Sequence, residues 1–531
     1  MNKSESNSYW QVSRAASVRK IDKLVLFILF IAGVAAVANF LVWWVKVEHV
    51  DVLALFAIFS FIFIYVLARL VFVWYTYLNV SRPDVPVAPK GLTVAVFTTS
   101  YRGEPLDMVR KTLEACKNIS YPHTTYLLDN TEDPAFRTAA EEFGAVWLEL
   151  INVPGAKAGK INRALELTTE DYILVLDPDH IPFPKFLDNT LGFFSDAQVG
   201  FVQVSQAYYN QNRSFMAHAA AQQTYTFYGA TQMGYNGLGC AIAIGANCTF
   251  RRAAFDSIGG HVVGLAEDLQ TSLKLHAAGW KSVYNPVVVS RGIVPEDFNS
   301  FAKQQFKWAF GALGFIYNDL PAAFPNLSMN QKITYLSIAT YYFSGFINLL
   351  FLLLPFLFFV TGYLPVNMLL GEFVLNGMWI VLVSIAFYIY VQRWMCHPAS
   401  ERGWHWRAMI LKFAVWPVFL YGMLLSLAKV DVPYIPTAKR ADASISPFAK
   451  PFLWYSWLFV FVFALILLYR MFFIELGDLL FSSVKTWIMM GFAFMSFAMS
   501  LWALFVVRPG KHLYTTDPWD ELPTGLFKKS A

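Results

Sequence analysis

Apolar residues in this chain come in blocks too long for the core of a soluble domain. Leu24–Val45 and Val52–Leu78 each exceed the roughly 20 apolar residues that carry a helix across a bilayer, and further blocks follow from Ile333 onward. With 56% hydrophobic and only 15% charged residues in 531 and a mean hydropathy of +0.45, the composition is that of an integral membrane protein. The more polar stretch from about Pro83 to Leu327 is then a soluble insert held at the membrane.

Charge placement orients it. Residues 1–23 carry Arg14, Arg19, Lys20 and Lys23 ahead of the first apolar block, and no small-residue cleavage site follows, so a retained anchor is expected rather than a signal peptide. The basic N-terminal tail and the Arg82–Lys90 segment both follow the positive-inside preference, which puts residues 83–327 in the cytoplasm. Beyond the insert, Ile333–Val360 and Val374–Val391 (a 333–391 pair) are expected to span. Arg393–Arg407 is rich in Arg and His and is expected inside. Ala408–Leu427 is interrupted by Lys412 and Pro417, and crossing there would strand Lys429, Lys439, Arg440 and Lys450 outside, so residues 393–450 are read as an interfacial helix and a loop. Phe452–Leu468 and Val484–Val507 make six spans in all, with residues 508–531 a cytoplasmic tail.

Two function classes drop out early. The net charge of +5 is spread along the chain with no basic block interleaved with aromatics, so no nucleic acid partner is expected. Cys116, Cys240, Cys248 and Cys396 form no CxxC pair, which indicates neither a disulfide framework nor a zinc site.

The insert alternates short apolar runs with polar helical stretches, the pattern of a βα domain with a mostly parallel sheet. Tyr172–Leu176 is a wholly apolar, β-branched run that reads as a buried parallel strand, and Asp177-Pro178-Asp179-His180 emerges at its carboxyl end, where open α/β sheets bind ligands. Two carboxylates one residue apart and an imidazole suit a hard divalent cation that shares its remaining positions with phosphates; the same residues also suit a solvated turn. Thr93–Phe97 is a first strand ending in Thr98–Glu104, which brings Tyr101 and Glu104 to the same edge. A helix over Leu106–Asn118 follows. Thr125–Leu128 is a second strand and adds a third carboxylate, Asp129.

Gly155–Asn162, with Lys157, leads into a helix through Leu167 and suits a phosphate or plain solvation. Val199–Ser205 reads as a strand, Phe215–Tyr228 as a helix and Gly239–Ala246 as a small-residue strand and turn. Ala266-Glu267-Asp268 opens a helix over Leu269–Ala278. Acids there complement the helix dipole, or one of them, Asp268, is a general base for transfer of a sugar to a hydroxyl with inversion. On an amphipathic helix, Gln304-Gln305-Phe306-Lys307-Trp308 offers Lys307 to a departing diphosphate and Trp308 to the apolar face of a pyranose; the bland alternative is anchoring at the headgroups.

In this order, Asp129, Asp177-x-Asp179, Glu267-Asp268 and Gln304-Gln305-x-Lys307-Trp308 resemble the D, DxD, [T]ED and Q(Q/R)xRW motifs of processive family 2 glycosyltransferases of the cellulose synthase superfamily, over about residues 90–510. The resemblance implies an α/β GT-A (Rossmann-like) domain embedded in an α-helical transmembrane bundle, a UDP-sugar donor, Mg²⁺ or Mn²⁺, and β-linkages made with inversion. Asp129 would read the uracil, Asp177 would contact the donor diphosphate, Asp179 and His180 would bind the metal and Asp268 would be the base. Tyr101, Glu104, Lys157 and Lys307 would lie on the donor side; Trp308, with Glu267, Gln304 and Gln305, would hold the acceptor end. Tyr434–Lys439 resembles a variant of the FxVTxK gating loop, so Thr437 and Lys439 would also touch the donor.

Three departures stand out. Ala266 replaces the usual threonine and is expected to loosen the helix head. Lys307 replaces arginine, which keeps the charge but loses the bidentate fork. No soluble domain follows the last apolar block, so a PilZ-type regulatory module is not expected. The implied function is polymerisation of glucose from UDP-glucose into a β-glucan (β-1,3, β-1,4 or mixed) with translocation across a bacterial plasma membrane. Alternatives are a synthase of an N-acetylglucosamine polymer or a hyaluronan-like chain, a non-processive glycolipid glycosyltransferase, or a transporter. The last predicts ionisable residues inside the spans, of which Arg69 and Lys485 are the few. The expected partners are the donor, the growing polysaccharide and membrane lipids; accessory subunits and oligomeric state are not set by the sequence.

Overall fold

The structure is a computed structural model that describes residues 10–433, scattered positions between 457 and 498, and residues 517–522. Thr437 and Lys439, and most of the expected spans Phe452–Leu468 and Val484–Val507, lie outside the described residues.

Seven strands form the central sheet: β1 (Val94–Tyr101), β2 (Thr124–Asn130), β3 (Val146–Glu149), β4 (Tyr172–Leu176), β5 (Val199–Val204), β6 (Cys248–Arg251) and β7 (Lys281–Asn285). Their order is β3-β2-β1-β4-β6-β5-β7. All neighbours are parallel except β6, which runs antiparallel to both β4 and β5. Every residue of β4 is buried, because alternate side chains feed two cores. Val94, Val96, Leu174, Leu176 and Val202 pack on one face, and Ala95, Phe97, Ile173, Val175 and Phe201 on the other, the period-2 alternation of a strand covered on both sides.

The strand ends differ from the sequence reading. β1 and β2 run on to Tyr101 and Asn130 because their pairing continues, Ser100 opposite Asp129 and Tyr101 opposite Asn130. Gly239–Ala246 is not a strand; pairing starts at Cys248, just after Asn247 turns the chain with a φ of 55°. Strands β3 and β7 and the helix Pro134–Glu142 went unread. β3 is four residues long and partly exposed at the sheet edge, too short for a periodic signal.

The helices that concern the site and the membrane are α1 (Lys20–Trp44), α2 (Leu53–Leu78), α3 (Leu106–Lys117), α4 (Ala156–Leu167), α5 (Phe215–Thr226), α6 (Glu267–Ala277), α7 (Phe298–Asn318), α8 (Met329–Ala339), α9 (Ser344–Thr361), α10 (Leu370–Val391), α11 (Trp406–Ala414) and α12 (Trp416–Leu427). Among the described residues, Lys20–Trp44, Leu53–Leu78, Met329–Thr361 and Leu370–Trp394 are long and apolar enough to cross a membrane. These four stretches overlap the first four expected spans. The segment expected as one interfacial helix, Ala408–Leu427, is instead a pair, α11 and α12, bent by 41°. Pro417 sits in the first turn of α12, where its ring is tolerated but cannot continue the preceding helix. α12 buries Val418, Phe419, Gly422, Met423 and Ser426, and Ser426 Oγ donates to the Phe310 carbonyl of α7 at 3.1 Å.

Both chain ends return to the sheet domain, which the sequence reading had treated as tails. Ser13–Arg14 pairs antiparallel with Val287–Val288, and Trp519 is 1% exposed in a core shared with α3.

Arg69, inside α2, is bound to a neighbouring helix end. Its guanidinium donates to the Ser337 carbonyl and to Thr340 Oγ1 (3.0 Å) at the end of α8, satisfying a helix terminus. Replacing it in Arg69→Leu is expected to cost about 1.5–3 kcal/mol, the worth of hydrogen bonds to a charged donor. Thermal unfolding in detergent should come earlier; an unchanged midpoint would show that the contact adds nothing.

Candidate functional site

A cavity of about 230 Å³ opens at the carboxyl ends of β1 and β4. Tyr101 and Glu104 line it from the end of β1, Lys157 from α4, and Asp177, Asp179 and His180 from the turn after β4. Glu267 and Asp268 enter from the head of α6, and Gln304, Gln305, Lys307 and Trp308 from one side of α7. Segments far apart in sequence thus meet at one cavity.

Asp177, Asp179 and His180 each present a ligand atom within 4.8 Å of the others. Two carboxylates and an imidazole are a donor set that fits Mg²⁺ or Mn²⁺, and Asp177, which the family resemblance puts on the diphosphate, belongs to the same cluster. Asp179 and His180 are each 2% exposed and tightly held. Asp179 Oδ2 accepts from the Ile293 amide at 3.1 Å. His180 Nδ1 lies 3.3 Å from Asp179 Oδ1, and its Nε2 abuts the Gln206 amide. That amide accepts from Asn247 Nδ2 at 2.7 Å, and Ser290 Oγ donates to Asn247 Oδ1 at 2.8 Å. Gly292 closes the back of the ring: a Cβ there would lie 2.7 Å from the imidazole. Outer contacts of this kind fix a metal-ligating histidine in one orientation.

Lys157 Nζ pairs with Asp177 and donates to the Gly245 carbonyl at 2.6 Å, so one lysine ties the turn after β4 to the loop before β6. Asp129 is placed differently from its neighbours. It does not line the cavity; its buried carboxylate accepts from Ser100 Oγ (2.6 Å), the Thr131 amide (3.0 Å) and Trp147 Nε1 (3.0 Å), which is how an acid is tolerated at the sheet edge.

The sequence reading passed over three residues. Lys160 lies one helical turn beyond Lys157 and lines the cavity too. Its Nζ donates to the Ser100 carbonyl at 2.8 Å and sits 5.2 Å from the Tyr101 ring centroid. Burial pushes its pKa down to about 8, against the opposing pull of Glu104 and Asp129. The i, i+3 spacing of two lysines in one loop was the available signal. Gln206 orients His180 but carries no motif. Tyr228 reaches the cavity because α5 runs into a π turn over Phe227–Thr231, a distortion that often marks functional sites and that no residue pattern announces.

At the head of α6, burial pushes the Glu267 carboxyl up, and the adjacent Asp268 charge adds to this, while Lys157 and Lys307 oppose it. Asp268 is also raised, chiefly by burial, with Lys157 opposing and Asp177 adding. Its Oδ1 accepts from the Leu269 amide at 2.8 Å. A carboxylate raised from its ordinary range accepts a proton more readily. α7 starts at Asp297, whose Oδ1 accepts from the Ser300 amide at 2.8 Å. Gln305 is buried, while Trp308 is 40% exposed at the cavity.

Two family models match: Glycosyltransferase like family 2 over residues 89–311 and Cellulose synthase over residues 256–514. The chain carries a family 2 glycosyltransferase domain. Its seven-stranded mixed sheet is the GT-A fold. The chain is 31% identical over 281 residues to the UDP-forming cellulose synthase catalytic subunit of Komagataeibacter sucrofermentans, a stretch covering 51% of this chain and 37% of that one. It is 30% identical over 262 residues to the corresponding subunit of Xanthomonas axonopodis pv. citri, covering 48% and 36%. The chain thus matches little more than a third of the length of these curated relatives. A solved mannosyltransferase of Pyrobaculum calidifontis, in complex with GDP-Man and Mn²⁺, aligns with a TM-score of 0.46 at 17% identity, over 71% of this chain and all of that one.

Within the glycosyltransferase domain, Ala266 is the N-cap of α6 and makes no side-chain capping bond, but it has a packing role. A Cβ on Gly311 of α7 would lie 2.9 Å from the Ala266 Cβ, so the small pair lets α7 press against the head of α6. Ala266→Thr or Gly311→Ala is expected to overpack this contact and cost about 1–3 kcal/mol. Denaturation of the purified variants measures it, and wild-type stability for both would mean that α7 has room to yield.

Proposed function

We propose that the chain is a membrane-embedded, processive, inverting glycosyltransferase that polymerises glucose from UDP-glucose into a β-glucan of β-1,3, β-1,4 or mixed linkage and passes it through its helical bundle. The observation that carries this reading is the convergence of Asp177, Asp179 and His180 with Asp268 and Trp308 on one cavity. The relatives' names, which describe UDP-forming cellulose synthase subunits, support the donor and the product class. The lack of a basic, aromatic-interleaved surface in the sequence agrees with a sugar substrate rather than nucleic acid. The basic residues that flank α1 and α2 favour the cytoplasmic side for the domain, and the relatives' bacterial sources favour an inner membrane.

The acceptor's terminal sugar stacks on Trp308, and its attacking hydroxyl points at Asp268. Asp268 takes the hydroxyl proton as the oxygen bonds to the anomeric carbon of the donor from the face opposite the diphosphate. The bond to the diphosphate breaks, and UDP leaves with the electron pair. Lys307 and Lys157 place positive charge beside that leaving group. Asp177, Asp179 and His180 hold Mg²⁺ or Mn²⁺, which when bound supplies further positive charge to the diphosphate. Glu267, raised by burial and by its neighbour, keeps the head of α6 from holding two full negative charges at neutral pH. Gln304 and Gln305 orient the acceptor from α7.

Purified protein with Mg²⁺ or Mn²⁺ is expected to release UDP from UDP-glucose and to form an insoluble polymer that one linkage-specific β-glucanase digests. Asp268→Asn should lower the rate by a factor on the order of 10²–10⁴, as expected for loss of a general base. Polymer from UDP-N-acetylglucosamine alone would name a different synthase, and single-sugar products would remove processivity.

The pH profile gives an independent check. Asp268 acts as a base only when ionised, and its pKa is raised, so the acid limb of the rate should lie above the ordinary aspartate value of about 4. Lys157 favours the ionised form. In Lys157→Met that help is gone, the pKa rises further, and the residual activity's acid limb should move to higher pH. A shift to lower pH would contradict the assignment of Asp268.

A further inference from the structure

We propose that residues 517–522 are a latch behind the metal-site turn, with Trp519 and Glu521 as positioning residues for the transfer reaction, an inference that rests in its kinetic part on the function proposed above. The segment is a single 3-10 turn, Pro518–Glu521, yet it makes contacts out of proportion to its length. Trp519 and Leu522 fill a core with Met108, Val109 and Leu113 of α3 and with Ile181; Tyr209 and Ile293 pack against it. Beside this core, the buried guanidinium of Arg213 pairs with Glu296 at 2.9 Å and with Glu521.

Each of these contacts ends next to the site. Ile181 follows His180 and is paired with Arg291 across a short two-strand bridge. Ile293 donates its amide to Asp179 Oδ2, so a side chain touching the Trp519 core belongs to the residue that aims a metal-cluster carboxylate. Glu296 precedes Asp297, the residue that caps α7, and α7 presents Gln304, Gln305, Lys307 and Trp308 to the cavity. The other chain end braces the same region: the Trp10 ring lies 6.1 Å from those of Phe183 and Tyr209, and Ser13–Arg14 extends the backbone pairing at Val287–Val288. Loss of the Trp519 indole would leave a void bordered by Ile181 and Ile293. Loss of the Glu521 charge would leave Arg213 with Glu296 as its remaining acid here. The latch therefore sets the two backbone stretches, 179–183 and 289–297, that fix the metal cluster and the start of the acceptor helix.

The test compares wild type, Trp519→Ala, Glu521→Gln and Glu521→Asp as full-length protein in detergent, by hydrogen exchange and by the Mn²⁺ concentration that gives half-maximal UDP release. Trp519→Ala is expected to speed exchange in peptides covering 179–183 and 289–297, with α1, α2 and α10 unchanged. The Mn²⁺ requirement should rise about 10-fold, the usual scale for lost outer-shell support. Glu521→Gln should give a smaller effect in the same direction, and Glu521→Asp should restore most of it. Unchanged exchange at both stretches in Trp519→Ala would overturn the latch, and faster exchange with an unchanged Mn²⁺ requirement would overturn the positioning role. If Trp519→Ala does not fold, the glutamate pair decides: wild-type exchange in Glu521→Gln overturns the proposal. If wild type releases no UDP from any donor, the catalytic reading fails by itself, and the exchange arm still judges the latch.

Discussion

The site depends on keeping several acids close together at one sheet edge. Glu104, Asp129, Asp177, Asp179, Glu267 and Asp268 all lie at or beside the carboxyl ends of β1, β2 and β4 or face them across the cavity, and like charges in a low dielectric repel strongly. The acids are relieved in several ways, Glu104 by the Tyr101 amide at 2.9 Å. Asp129 is saturated by three donors, and Asp177 is paired with Lys157. Asp179 takes a backbone amide, and the Glu267–Asp268 pair holds its protons more tightly. The lysines are equally constrained: Lys160 is buried enough that its charge is itself weakened. Among the described residues, the group whose atoms could hold a cation is Asp177, Asp179 and His180, and it faces the cavity.

The sheet domain meets the apolar helices through a core that includes Phe301, Phe306, Val418 and Phe419, and beside it through close backbone approach. Ala266 meets Gly311, and a Cβ on Gly422 of α12 would lie 3.1 Å from that of Ala309. The head of α6, the middle of α7 and α12 are therefore stacked through small residues, with Ser426 joining α12 to a carbonyl of α7. Such contacts transmit displacement with little slack. The head of α6 with Asp268, the middle of α7 and the bent helix α12 form one mechanical unit.

The parts that were legible in the sequence are those with strong local signals. Tyr172–Leu176 is apolar throughout because both its faces are covered, and that run placed Asp177 and Asp179 correctly at a strand end. The four motifs were legible as an ordered set, and the cavity gathers members of three of them, but order along the chain does not say which way a side chain points. Asp129 has the right type and position in its strand, yet its carboxylate turns inward because Trp147 on the neighbouring edge strand, itself unread, offers a donor. Ala266 was legible as a helix cap without a side-chain bond, whereas its packing against Gly311 was not, because Gly311 is far away in sequence. The docking of Trp519 rests on six residues with no period to read. The bend at Pro417 was visible as a break, whereas the burial of α12 depends on neighbours that no local pattern describes.

The pairing of Ser13–Arg14 with Val287–Val288 also bears on how the chain is made. Ser13–Arg14 has no partner strand until almost the whole sheet domain has been synthesised, by which time α1 and α2 are already complete. Contacts this distant in sequence form late and slowly. The N-terminal strand therefore acts as a seal applied after the domain beneath it has folded, and its closure reports that residues 83–288 have reached their native arrangement beside a membrane anchor already in place.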